Sequence, residues 1–215
     1  MNHYMVKEIF GPTIQGEGAM IGTPTHFVRF TGCNMWDGRP ETRSKSKCPY
    51  CDTDFVGGKK MVHYEIIYEL MKLPFRCKWV TISGGEPALQ IDQILIDLLH
   101  GYGFKIAIET NGTCTLPNFI DHVCVSPKVP RKEMKLLKSD SLKLLYPHPN
   151  KDIKPEDFED YNTTDRYLQP IMDVSMSGDR EAIFDESVKA TLQKIYESNG
   201  FWKLSPQIHK LIKVR

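Results

Sequence analysis

The sequence contains no apolar run approaching the roughly 20 residues that a membrane-spanning helix takes. No basic stretch leading into an apolar leader opens it. Charge of either sign is not in excess: 28 Lys and Arg stand against 27 Asp and Glu, a formal net charge of +1. Nothing in that balance points to nucleic acid or to a membrane surface. No internal repeat, linker or low-complexity stretch is visible. Cysteine is sparse, with six in 215 residues, which excludes the disulfide framework of small secreted domains. These absences leave an expected cytoplasmic protein with a single domain over residues 1–215, long enough to bury a core.

Three of the six cysteines are clustered: Cys33, Cys48 and Cys51. Cys77, Cys114 and Cys124 stand alone in apolar or loop contexts and read as small core residues or incidental thiols. Clustered thiols in a cytosolic chain point to metal or redox chemistry. The spacing Cys48-Pro-Tyr-Cys51 lets both thiolates reach one site. Segment 34–47, with Asp37, Arg39, Glu41, Arg43, Lys45 and Lys47, separates them from Cys33 and reads as a solvated insertion in that loop. A closed zinc site wants a fourth ligand, and no histidine lies between residues 27 and 62, although Asp52 and Asp54 are at hand. An iron–sulfur cluster held by three thiolates would keep one iron open. On the residues alone both readings stand.

The elements follow from periodicity. Residues 5–18 begin as a short strand that should break at Gly11-Pro12, leaving a glycine-bracketed loop around Gln15 and Glu17. Strands are expected at 26–30, 79–83, 105–109, 122–125, 142–146 and 166–168. Helical spacing of apolar residues marks 63–73, through Ile66, Ile67, Leu70 and Met71, and 90–100, through Ile91, Ile94, Leu95, Leu98 and Leu99. It also marks 180–198, through Ala182, Ile183, Val188, Leu192 and Ile195. Residues 147–165 are polar and proline-bearing, and read as the mobile segment. Strands alternating with helices predict an α/β fold, an incomplete TIM-type barrel of about six parallel strands, because a full barrel takes about 250 residues. The polar strand ends, Gly32-Cys33, Gly84-Gly85-Glu86, Glu109-Thr-Asn-Gly, Ser126-Pro-Lys128 and Gln169-Pro170, should meet on one rim. Arg29, a cation in an apolar strand, needs an acidic partner, either structural, with Glu17 a candidate, or a substrate acid.

Three cysteines followed by Gly84-Gly85-Glu86 resemble the radical S-adenosylmethionine (SAM) superfamily. The long first gap departs from that superfamily's usual spacing. With Thr-Ile-Gln-Gly-Glu-Gly, Phe-Val-Arg-Phe-Thr-Gly-Cys, Cys-Asp-Thr, Ser-Gly-Gly-Glu-Pro, Glu-Thr-Asn-Gly, Ser-Pro-Lys and Gln-x-His-Lys in order, it is similar to the 7-carboxy-7-deazaguanine synthase family over nearly the whole chain. The resemblance implies a radical SAM core that turns 6-carboxy-5,6,7,8-tetrahydropterin into 7-carboxy-7-deazaguanine with loss of ammonia, feeding queuosine and other deazapurines. It implies that Cys33, Cys48 and Cys51 hold a 4Fe–4S cluster and that Thr53 binds Mg²⁺. Tyr50, Cys51, Asp52, Gly85, Glu86, Ser126, Lys128 and Gln169 would line SAM, with Glu109 catalytic. Ile14, Gln15, Gly16, Glu17, Arg29 and Ser83 would hold the pterin. The family's C-terminal carboxylate also reaches the substrate, which places Arg215 there, although the family's usual last residue is small or proline. His209 and Lys210 match the family and are candidates for ligand contact or for a plain structural role. The implied partners are a small-molecule pterin, an electron donor such as a flavodoxin or ferredoxin, and a second copy in a homodimer, with no nucleic acid or membrane. A radical SAM activase that makes a glycyl radical on a partner protein and a zinc-stabilised binding module are the alternatives.

Overall fold

The computed structural model describes residues 2–171 and 180–214, with helical backbone alone over 180–183. Arg215 and the side chains of Ala182 and Ile183 lie outside the described residues.

One nine-stranded sheet organises the chain. In chain order its strands are β1 (His3–Ile14), β2 (Pro24–Phe30), β3 (Lys59–Val62), β4 (Trp79–Gly84), β5 (Lys105–Thr110), β6 (His122–Val125), β7 (Lys138–Leu145), β8 (Asn162–Gln169) and β9 (Lys203–Leu204). The spatial order is β3-β1-β2-β4-β5-β6-β7-β8-β9, so β3 and β9 form two separate edges and the sheet is open. From β2 to β9 every pairing is parallel, while β1 runs antiparallel to both β2 and β3. The six expected strands are the middle of this sheet. On one face their alternate residues Val80, Ile82, Ile106, Ile108, Leu142, Leu144 and Leu168 are fully buried, while Thr81, Ser83, Glu109 and Lys143 belong to the other.

Two expectations about strands need correction. β1 does not stop at Gly11-Pro12 but runs on to Ile14. Pro12 has no N–H to donate, and the ladder absorbs it as a register shift between Phe10 and Thr13. β3 and the two-residue β9 carried no signal because lysines and shortness are how edge strands avoid further pairing.

The helices are α1 (His63–Lys72), α2 (Gln93–Gly101), α3 (Arg180–Glu197) and α4 (Ile208–Leu211). α1 buries Ile66, Ile67 and Leu70, but Met71 turns outward at 48% exposure. The side chain of Glu65 closes its first turn by accepting from the Val62 N–H at 2.8 Å. α2 begins after Asp92, whose carboxylate accepts from the Leu95 N–H and the Tyr4 hydroxyl, so the helix starts later than its apolar spacing suggests. It buries Leu95, Ile96 and Leu99 and turns Ile94 outward. Residues 147–165 are no bare polar connection, since Ile153, Phe158 and Tyr161 join the second core cluster. Because β2 and β4 to β8 are parallel, Phe30, Gly84, Thr110, Val125, Leu145 and Gln169 end on the same edge. The functional residues sit just beyond those ends.

Candidate active site

A cavity of about 420 Å³ opens at this edge, and its walls come from every strand end expected there. Every described residue of the expected site lines it except Glu86, which lies behind the wall; Arg215 is outside the described residues. Asp54, Asn111, Lys143, Gln207, His209 and Lys210 line it as well.

The thiols occupy one side. Cys33 follows β2 through Gly32, whose φ of 77° is a conformation that glycine adopts readily. Gly85 packs on this turn so closely that an added Cβ would collide with the Gly32 carbonyl oxygen and the Cβ of Cys33. Cys48 and Cys51 share a tight turn in which the Cys51 N–H donates to the Cys48 carbonyl at 3.3 Å. All described cysteines are free. A hydrogen bond from Cys48 lowers the Cys51 thiol to about 7, while the same bond and burial push Cys48 upward. Burial raises Cys33. The Cys48–Cys51 turn is braced by Arg43, which donates to the carbonyls of Pro49 at 3.0 Å and Cys51 at 2.8 Å and covers the Trp36 ring at 4.0 Å. Segment 34–47 is therefore not simply a solvated face: Met35 and Trp36 are buried and Arg43 faces inward.

The same cavity is lined by a polar trio. The Lys143 ammonium, on β7, is ion-paired with Glu17 and lies 3.0 Å from Glu109 on β5. Gln15 donates to Glu109 at 3.0 Å, and Gln207 donates to Glu17 at 2.5 Å. Burial alone would raise Glu17, but Lys143, Gln207 and His209 outweigh it and bring the carboxyl down to about 2. Burial likewise opposes the charge of Lys143, and the two carboxylates overcome it and raise its pKa. Glu17 is thus not the partner of Arg29. Arg29 donates to Glu8 at 2.9 Å across the β1–β2 pair and turns its remaining surface to the cavity.

The folded Glu17 value near 2 lies below its ordinary 4.5, so its contribution to stability is present above the unfolded pKa and lost as pH falls through the folded one. Wild-type denaturation midpoints should fall between about pH 5 and pH 2, and those of Glu17→Gln should fall less. Equal acid sensitivity of the two proteins in urea titrations would contradict this.

The remaining polar groups are fixed by backbone. Glu86 is fully buried and accepts from the Ala88 N–H, the Thr110 hydroxyl at 2.7 Å and the Asn111 N–H at 2.7 Å. Burial, the largest influence, holds its pKa up. Lys128 donates to Ser126 at 2.7 Å, and Tyr50 meets His148 at 3.1 Å. Burial first, and then Lys128, lower His148 to about 4. At the tail, Lys210 pairs with Asp52 at 2.6 Å and the Ile208 N–H donates to the Gly16 carbonyl at 2.9 Å. His209 lies against Gly16, and its buried Nδ1 has no partner among the described residues. Lys143, Gln207 and His148 were not anticipated. Lys143 carried the signal that marked Arg29, a cation in an apolar strand.

No three His, Cys, Asp or Glu side chains among the described residues converge as ligands of one ion. The donor set fits a cubane cluster better: its three thiolates bind three different irons and need not meet at a point as zinc ligands do. The free thiols, the low Cys51 and the close Gly85 turn meet those needs.

No family model matches the chain. It is 39% identical to the 7-carboxy-7-deazaguanine synthase of Bradyrhizobium diazoefficiens, covering 99% of both chains. It is 40% identical to that of Caulobacter vibrioides, over 97% of this chain and 98% of the relative. A crystal structure of QueE from Escherichia coli shares the fold, with a TM-score of 0.66 at 23% identity, over 95% of this chain and 94% of that one.

Proposed function

This chain belongs to the 7-carboxy-7-deazaguanine synthase family, and we propose that the rim cavity is where its radical SAM reaction on 6-carboxy-5,6,7,8-tetrahydropterin takes place. The observation that carries this reading is that three free thiols and the Glu17–Lys143–Glu109 trio line one cavity. When bound, a 4Fe–4S cluster with SAM supplies one-electron radical chemistry. Cys33, Cys48 and Cys51 would hold the cluster.

The protein's own groups then bind and orient. The Gly85 backbone, Tyr50, Asp52, Ser126, Lys128 and Gln169 form the SAM side. Glu86 braces that side from behind, tying the turn after β4 to the turn after β5. The ionised Glu17 accepts the donors of a pterin amino-pyrimidinone edge, with Ile14, Gln15, Gly16 and Ser83 beside it. Arg29 takes the substrate carboxylate. Thr53 would offer a hydroxyl to Mg²⁺, a hard cation that would supply charge stabilisation beside the substrate carboxylate. Glu109, held by Gln15 and Lys143, stands ready to move a proton at the rearranging ring. The His209 Nδ1 and Lys210 reach the same cavity from the tail. A homodimer and a flavodoxin or ferredoxin electron donor complete the reading. No described helix is long and apolar enough to cross a membrane.

The test is anaerobic reconstitution with iron and sulfide, then incubation with reductant, SAM, Mg²⁺ and the carboxypterin. A brown protein that forms the deazapurine, and forms it faster with Mg²⁺, is expected. A colourless protein holding one zinc, or 5′-deoxyadenosine without deazapurine, would overturn it.

A further inference from the structure

Resting on that reading, we propose that Ser205 and Gln207 are positioning residues that clamp the loop around Gln15 and Glu17 to the SAM side of the cavity, so that SAM and the pterin each tighten the binding of the other. The loop follows β1, whereas Gln169 ends β8. Five strands lie between β1 and β8 in the sheet, so no ladder joins these two ends. The segment after β9 does. The Ser205 hydroxyl accepts from the Gly18 N–H at 2.9 Å and donates to the side-chain carbonyl of Gln169 at 3.0 Å. Two residues on, the Gln207 amide donates to Glu17 at 2.5 Å and to Asp52 at 3.4 Å. Each side chain thus has one partner in the loop and one among the residues assigned to SAM. The Ile208 N–H on the Gly16 carbonyl and the Lys210 ammonium on Asp52 add one tie to each side.

A chain end that is merely stapled down needs one anchor. Here two buried side chains each bridge two elements: Ser205 uses its hydroxyl as both acceptor and donor, and the Gln207 amide has a hydrogen for each carboxylate. The clamp is also lightly held. Among the described residues, none from 203–214 belongs to either core cluster, and Leu211, Ile212 and Val214 are exposed. Attachment of the segment therefore rests chiefly on the polar contacts above, and a segment with few buried apolar contacts opens locally at low free-energy cost. A pterin needs Glu17 in place, and SAM needs Asp52 and Gln169 in place. Both ligands favour the attached segment, and whichever binds first meets the cost of ordering it. The second then binds more tightly, and linkage makes the gain equal in either order.

The reconstituted holoenzyme is titrated calorimetrically without reductant, so that neither ligand reacts. SAM is added with and without saturating carboxypterin, and the carboxypterin with and without saturating SAM. In the wild type each ligand should raise the affinity of the other by at least about fivefold, by the same factor in both orders. In Gln207→Leu, which keeps much of the volume and removes both donors, and in Ser205→Ala, that factor should fall to within about twofold of one. Visible absorbance and iron content of both variants should match wild type, which separates lost coupling from a lost cluster. Independent binding in the wild type overturns the proposal, and so does wild-type coupling in both variants. If Gln207→Leu does not hold its cluster, Ser205→Ala is judged by the same criteria. A wild type that binds the two ligands cooperatively but makes no deazapurine once reduced fails the reading of the reaction and leaves the clamp standing. A wild type that binds neither ligand overturns both.

Discussion

Lys143→Met is expected to lower the stability of the protein by about 3–5 kcal/mol, the usual cost of removing one partner from a buried charge group, and to abolish turnover. The lysine side chain is only 6% exposed, and its ammonium is the cation between Glu17 and Glu109. Methionine keeps much of the volume and removes the charge. Two carboxylates would then face each other in a poorly solvated space, and one would take up a proton. Glu17 would lose its ionised form as a pterin acceptor, or Glu109 its form as a base. Urea denaturation measures the first effect and calorimetric titration with the pterin the second. Adding Glu109→Gln to Lys143→Met should recover part of the stability and none of the turnover, because it removes the repulsion without restoring the base. Unaltered stability and turnover in Lys143→Met would make the trio incidental.

Cys51→Ala should leave the reconstituted protein colourless, with iron at background level. The thiolate is the ligand, and of the three clustered thiols Cys51 is the one held lowest, at about 7. Two remaining thiolates leave a second iron uncapped, and the cluster does not persist. The matched control is Cys77→Ala. Cys77 is buried away from the cavity, where its backbone N–H donates to His26 at 3.2 Å, and this variant should assemble as wild type does. Iron content and visible absorption decide between them. A Cys51→Ala protein with full iron content would remove the cysteines from the metal site.

The parts of this architecture legible in the sequence are those where local pattern and burial agree. The six parallel strands read correctly because each is an apolar run stopped by a polar or glycine turn, and parallel order alone then brings their ends together. The strand-end part of the cavity lining, Cys33, Gly85, Glu109, Ser126, Lys128 and Gln169, followed from those ends. What stayed hidden depends on partners distant in the chain. Arg29 announced a need for an acid but not which one, and Glu8 across the strand pair proved to be it rather than Glu17. Glu86 looked like a ligand contact, yet its carboxylate is occupied by Thr110, Asn111 and Ala88, two of which lie beyond the next helix. Arg43 looked like one of several solvated cations because nothing local shows that two carbonyls of the cysteine turn lack donors. Met71 and Ile94 show the limit of periodicity, which locates a helix face only to within about one residue on either side.

The tail bears on the order in which the site is assembled during synthesis. Ser205 accepts from the Gly18 N–H, Gln207 donates to Glu17, Ile208 donates to Gly16, and Lys210 pairs with Asp52. A nascent chain that has released residues up to 204 can already pair every strand of the sheet. Its loop around Gln15 and Glu17, among the first segments made, still has no latch. Those four contacts tie the first loop made to the last segment made, so they form only after translation has passed residue 210.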